Sequence, residues 1–97
     1  MPSYLSLVSW TEQGVKNIKD APARIDAYKQ SVSDAGGRLI FFYMLMGDYD
    51  FATLIEVPND ETAARVLLNT AHLGNVRTRT YRAFTEDESK SILNSLA

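Results

Sequence analysis

The sequence predicts an α+β domain, a ferredoxin-like βαββαβ sandwich followed by one more helix. Three observations predict it. Four strand-like runs and two amphipathic helical stripes alternate in the order β-α-β-β-α-β, the split βαβ pattern. A Gly47-Asp48 turn signal joins the second and third runs closely enough for a hairpin. The chain has 97 residues, which fits a single domain over 1–97 and is too short for two.

Ser3 to Trp10 begins with period-two alternation and reads as the first strand. Thr11 to Lys19 is polar with Gly14 inside it, a loop or a single helical turn. Asp20-Ala21-Pro22 opens a helix, with Asp20 as acceptor for the orphan N–H groups and proline tolerated in the first turn. Ile25, Tyr28, Val32 and Ala35 form its apolar stripe, and Gly36-Gly37 ends it. Arg38 to Met46 is the second strand, apolar from Ile40 onward, and Tyr49 to Val57 is the third. Asn59 or Asp60 caps a second helix whose expected buried stripe is Ala64, Leu67, Leu68 and Ala71, with Gly74 as its stop. Asn75 to Phe84 is the fourth strand. Thr85-Glu86-Asp87-Glu88 has capping-box spacing and opens a short helix carrying Ile92, Leu93 and Leu96. Right-handed crossovers put both long helices on one face of an antiparallel sheet.

Composition excludes several functions. Twelve acids against ten bases leave a net charge of −2, with no basic excess for a nucleic acid. The absence of cysteine removes disulfides, zinc–thiolate sites and thiol catalysis, and suits a reducing cytoplasm. The N-terminus lacks the basic start and long apolar run of a signal peptide, and no stretch approaches the roughly 18 apolar residues of a membrane span. No phosphate-binding glycine loop, nucleophile elbow or Ser/His/Asp grouping is present, and Gly36-Gly37 is a helix stop rather than half of a dinucleotide fingerprint. No cofactor is expected.

With two helices on one face, the other face of the sheet should read polar. It does not. Alternation directs Leu5, Leu7, Ala52 and Leu54 to the helices, leaving Tyr4, Ser6, Val8, Trp10, Tyr49, Phe51, Thr53 and Ile55 on the open side. In the second strand both alternating sets are apolar, so the open face carries large apolar side chains in either register. A contiguous exposed patch of that kind marks an interaction surface. Its simplest cover is a second copy of the sheet in a two-fold dimer. The alternative is the C-terminal helix folding back over its own sheet, which is short enough to cover only part of it.

Four segments carry a resemblance. They are Trp10-Thr11-Glu12-Gln13-Gly14 with Lys19-Asp20-Ala21-Pro22-Ala23-Arg24; Gly36-Gly37-Arg38-Leu39; Met46-Gly47-Asp48-Tyr49-Asp50-Phe51; and Leu73-Gly74-Asn75-Val76-Arg77-Thr78 leading to Arg82-Ala83-Phe84-Thr85. In these the chain resembles the GYD domain family of small bacterial proteins, across nearly its whole length. The resemblance implies a dimeric α/β barrel and no established activity. A more distant likeness links Gly47-Asp48-Tyr49-Asp50 and Arg77-Thr78-Arg79-Thr80 to the ligand-sensing domains of the Lrp/AsnC regulators, whose DNA-binding helix-turn-helix this chain lacks.

Six residues are candidates for ligand binding: Trp10, Tyr43, Tyr49, Asp50, His72 and Arg77. Trp10, Tyr43 and Tyr49 either line a cavity between paired sheets or form the core of the pair. Asp50, a carboxylate beside an apolar sheet, needs a partner, with Arg77 or Arg79 in reach on the fourth strand. It anchors either a ligand or the Gly47-Asp48 turn. His72, the single histidine, is either a general base or a surface residue favoured by a helix C-terminus. Lys16, Lys19 and Arg24 surround the first loop and are either anion contacts or scattered surface bases. Three readings result: a homo-oligomeric small-molecule-binding or accessory domain, a cofactor-independent monooxygenase- or isomerase-like enzyme, and a structural assembly module.

Overall fold

The computed structural model describes all residues from Met1 to Ala97. The β-rich run Ser3–Trp10 forms β1, and Thr11 ends it by capping a five-residue helix, α1 (Glu12–Lys16), through its side chain. A 3₁₀ turn over Ile18–Asp20 leads directly into α2 (Ala21–Asp34). The chain returns as β2 (Arg38–Met44) and β3 (Phe51–Glu56), then α3 (Asp60–Ala71), β4 (Val76–Ala83) and α4 (Glu86–Asn94). All pairings are antiparallel in the order β2-β3-β1-β4, which is the ferredoxin-like sheet. No helix is long and apolar enough to cross a membrane.

The element order follows the sequence, with two local differences at helix starts. Asp20 makes no capping bond to α2, because the 3₁₀ turn already holds it in helical backbone geometry rather than the extended geometry of a cap. The α3 cap is Asn59, whose side chain accepts from the Thr62 N–H at 2.9 Å. At α4 the capping box is complete: Thr85 Oγ1 accepts from the Glu88 N–H, and Glu88 accepts from the Thr85 N–H at 2.9 Å.

The faces of the sheet are reversed from the alternation argument. Tyr4, Ser6 and Val8 on β1, with Thr53 and Ile55 on β3, are buried beneath the helices. Leu5 and Leu7 lie on the opposite face beside Leu54 and Ala52, their direct cross-strand partners. Phe41 and Tyr43 extend that row on β2, and Tyr81 and Arg79 extend it on β4. Apolar residues occupy both alternating sets, so hydrophobicity alone leaves the register degenerate. Specific polar contacts fit only one register. The buried Ser6 hydroxyl pairs with Thr80 at 2.7 Å, and the Tyr4 phenol donates to Asp60 at the start of α3.

The α3 stripe is rotated by one residue. Ala63 and Val66 are buried, whereas Ala64 and Leu68 are exposed. The small side chains at 63 and 66 let the helix approach the sheet, where Tyr4, Val32, Ile55 and Val57 complete the core. That core is small, since 12 of 97 residues are buried. The open face stays uncovered, because α4 does not fold over it. No residue of α4 is buried, and Tyr43 and Tyr81 remain 62% and 51% exposed.

Candidate functional site

A partly open cavity of about 230 Å³ lies between α2, α3 and the covered face of the sheet. Its floor comes from β1 and β3, its roof from α2, and its far wall from the end of α3 and the start of β4. The covered face has small residues in its middle, Ser6, Thr53 and Thr78, so the helices cannot fill the space above them. Aromatic rings bound the gap. Trp10 packs on Phe51 with ring centres 5.8 Å apart, and Phe51 on Phe42 at 5.0 Å.

Ser31, Asn69 and Asn75 are among the cavity's polar lining residues, and two others, Arg24 and Thr53, each carry a buried side-chain atom without a well-formed hydrogen bond. Arg24 lines it from the first turn of α2, four residues before Tyr28 and therefore on the same helix face. Its Nη1 donates to the Asn17 carbonyl at 2.9 Å, which fixes the guanidinium, while its Nη2 is buried without a partner. None of the ion pairs of the chain involves Arg24. Thr53 is 1% exposed, and its Oγ1 has no hydrogen bond of proper geometry. The nearby Tyr28 phenol is held above its ordinary pKa by burial, with the Thr53 hydroxyl pulling weakly the other way. No Asp, Glu, His or Lys lines the cavity.

The six residues expected to bind a ligand do not converge. Trp10 alone lines the cavity, on the covered face rather than the open one. Tyr49 and Arg77 meet in a shallow polar depression with Ser9, Asp48, Thr78 and Arg79 at the rim of the open face. Tyr43 stands on the open face against Phe41, ring centres 5.3 Å apart. Asp50 is paired with a backbone amide rather than with Arg77 or Arg79. Its carboxylate accepts from the Trp10 N–H at 2.9 Å, and its own N–H donates to the Val8 carbonyl at 2.9 Å. It therefore pins the β2–β3 turn to β1. His72 is exposed at the end of α3, with Nδ1 2.8 Å from the Asn69 carbonyl. Of the residues that line the cavity, the sequence singled out Trp10 as a ligand candidate, and Arg24 only as either an anion contact or a scattered surface base. Thr53 carried no signal, since its place depends on the sheet register.

The fold agrees with the comparisons. The model of the GYD domain family matches residues 4–93. This chain belongs to the GYD domain family. A protein of Thermus thermophilus, described as a glutamine synthetase and cystathionine beta-lyase binding protein, is 33% identical to it over 84 residues, covering 86% of this chain and 88% of the relative. Among solved structures, the GYD chain is similar to a feast or famine regulatory protein from M. tuberculosis complexed with L-methionine, with a TM-score of 0.66 at 19% identity over 88% of this chain. The GYD chain spans about half of that protein, 51% of its length. A crystal structure of a Thermus thermophilus protein is similar over 88% of this chain and 95% of its own, with a TM-score of 0.56 at 21% identity. Both structural likenesses are of the fold.

Proposed function

We propose that this chain is a non-catalytic binding module that works as a pair, two copies joined through their open sheet faces as a dimeric α/β barrel. The observation that carries this reading is the uncovered apolar face built from Leu5, Leu7, Leu54, Phe41, Tyr43 and Tyr81. The chain as a whole also exposes more surface than a compact monomer of its mass. The chain exposes 6666 Å² of surface. A compact monomer of 10.9 kDa exposes roughly 5,600 Å². The excess, roughly 1,100 Å², exceeds the roughly 800 Å² that each partner contributes to a standard interface.

An accessory role suits the pair better than catalysis. The acid–base groups available to an enzyme, His72 and Asp50, lie outside the cavity, and Asp50 is committed to the Trp10 amide. A relative whose name describes binding to two metabolic enzymes supports docking on other proteins as the class of role. A chain without cysteine is compatible with a reducing cytoplasm. Light scattering on a size-exclusion column tests the pair. Wild type is expected to elute at twice the chain mass at micromolar concentration, and Leu54→Lys, which puts a charge in the middle of the open face, is expected to elute as a folded monomer. A monomeric wild type, or a Leu54→Lys variant that still pairs, contradicts the reading.

A further inference from the structure

We propose that the cavity between α2, α3 and the sheet binds a small amphipathic carboxylate, with its carboxylate on Arg24 and its apolar body among Trp10, Phe42 and Phe51. This site is formed by one chain alone and lies on the opposite face of the sheet from the pairing surface.

Four observations on the cavity define that chemistry. The walls are apolar and aromatic, so the body of the ligand is apolar. The Arg24 Nη2 is buried and unpaired, with Nη1 already tied to Asn17. A buried guanidinium N–H without an acceptor is costly, and a carboxylate is its best-matched partner. No acidic side chain of the protein lines the cavity to supply that partner, so the anion comes from the ligand. The Thr53 hydroxyl, beside the Tyr28 phenol on the floor of the same cavity, is a second hydrogen-bonding group for the bound molecule.

Size limits the class further. A cavity of about 150 Å³ accepts benzene, so about 230 Å³ accommodates a body with carboxylate of roughly nine or ten heavy atoms. Short arylalkanoic and branched alkanoic acids fit. Larger anions such as nucleotides do not. Among the lining residues only Tyr28 and Arg24 titrate, and burial holds the Tyr28 phenol protonated, so we read this as a binding site.

Trp10 is the only tryptophan in the chain, so its fluorescence reports on this cavity. The probes are phenylacetate and 4-methylpentanoate, with phenylacetamide and 4-methylpentanamide as uncharged isosteres and acetate as an anion without a body. At least one of the two acids is expected to change Trp10 emission saturably, and its amide and acetate to bind at least tenfold more weakly. Arg24→Gln is expected to abolish the preference for acid over amide, and Arg24→Lys to retain part of it. Thr53→Val, which removes the hydroxyl at constant shape, is expected to weaken the acid several-fold. Equal binding of acid and amide overturns the proposal, as do acetate binding as tightly as the larger acids, no saturable change with any probe, and unchanged acid preference in Arg24→Gln. If Arg24→Gln does not fold by circular dichroism, the acid–amide comparison in wild type and the Thr53→Val result decide it. Pairing through the open face is read separately by light scattering, so either proposal can fail alone.

Discussion

Tyr4 shows how a single side chain sets the orientation of β1. Its ring is buried under α3, its hydroxyl donates to Asp60, and Arg82 on β4 stacks 5.9 Å from the ring centre. Burial, and then the Asp60 carboxylate, push the phenol from 10.0 up to about 12, against a smaller opposing pull from Arg82. The folded pKa lies above the unfolded one, so the fold prefers the protonated phenol. That contribution is complete below pH 10 and is lost as pH rises through about 12. Wild type is therefore expected to lose melting temperature between pH 10 and 12 more steeply than Tyr4→Phe, measured by thermal denaturation across that range. Parallel curves for the two proteins contradict this role. Nothing in the sequence distinguished Tyr4 from Leu5 as the inward residue, because both are apolar neighbours on one strand. Its partner is 56 positions away. Asp50 was more legible: a carboxylate beside a tight turn needs a partner, and its bond to the Trp10 amide ties that turn to β1.

Among the elements, α1 depends for its position on the absence of a side chain. Gly14 faces the loop that joins α3 to β4, and a Cβ there would lie 2.1 Å from the Asn75 carbonyl oxygen. The same carbonyl accepts the Thr11 N–H at 3.0 Å, and Thr11 Oγ1 donates to the Gly74 carbonyl at 2.6 Å. Gly14→Ala is expected to force this joint apart and cost roughly 1–3 kcal/mol in urea denaturation. Gly47→Ala, with nothing within 4 Å of its Cβ position, is the matched control and is expected to cost far less. Equal losses at the two sites contradict the close-approach argument. The boundaries of the elements were readable from glycine and proline punctuation and from the Thr85–Glu88 capping box. The buried faces were not. In α3, stripes starting at Ala63 and at Ala64 both satisfy helical spacing and differ by a rotation of one residue, which only packing against the sheet resolves.

At the scale of the whole molecule, an isolated chain leaves much of its apolar surface unused. Its radius of gyration is 14.6 Å. That exceeds the roughly 13 Å of a compact chain of about this length. It is 18 Å across its shortest axis, the thickness of one helix layer on one sheet with no third layer. The second apolar face was legible in the sequence because both alternating sets of β2 are apolar, and that conclusion survives the reversal of register. The cavity was not legible. It is assembled from all four strands, two helices and a loop, and its chemistry rests on Arg24 and Thr53, which are 29 positions apart in the chain. The sheet consequently has two separate surfaces, the open one that we propose pairs with a second copy and the covered one that we propose binds a small acid.

The absence of cysteine allows the pairing face to be tested directly with one introduced thiol. A spin label on Ala52→Cys, in the middle of the open face, and one on Ser33→Cys, exposed on α2, are compared by pulsed dipolar spectroscopy at micromolar concentration. Two sheets packed face to face lie about 10 Å apart. The Ala52→Cys label is therefore predicted to show strong short-range coupling between two chains, and the Ser33→Cys label only distant coupling. Short-range coupling at Ser33→Cys instead, or none at either position, would contradict pairing through the open face.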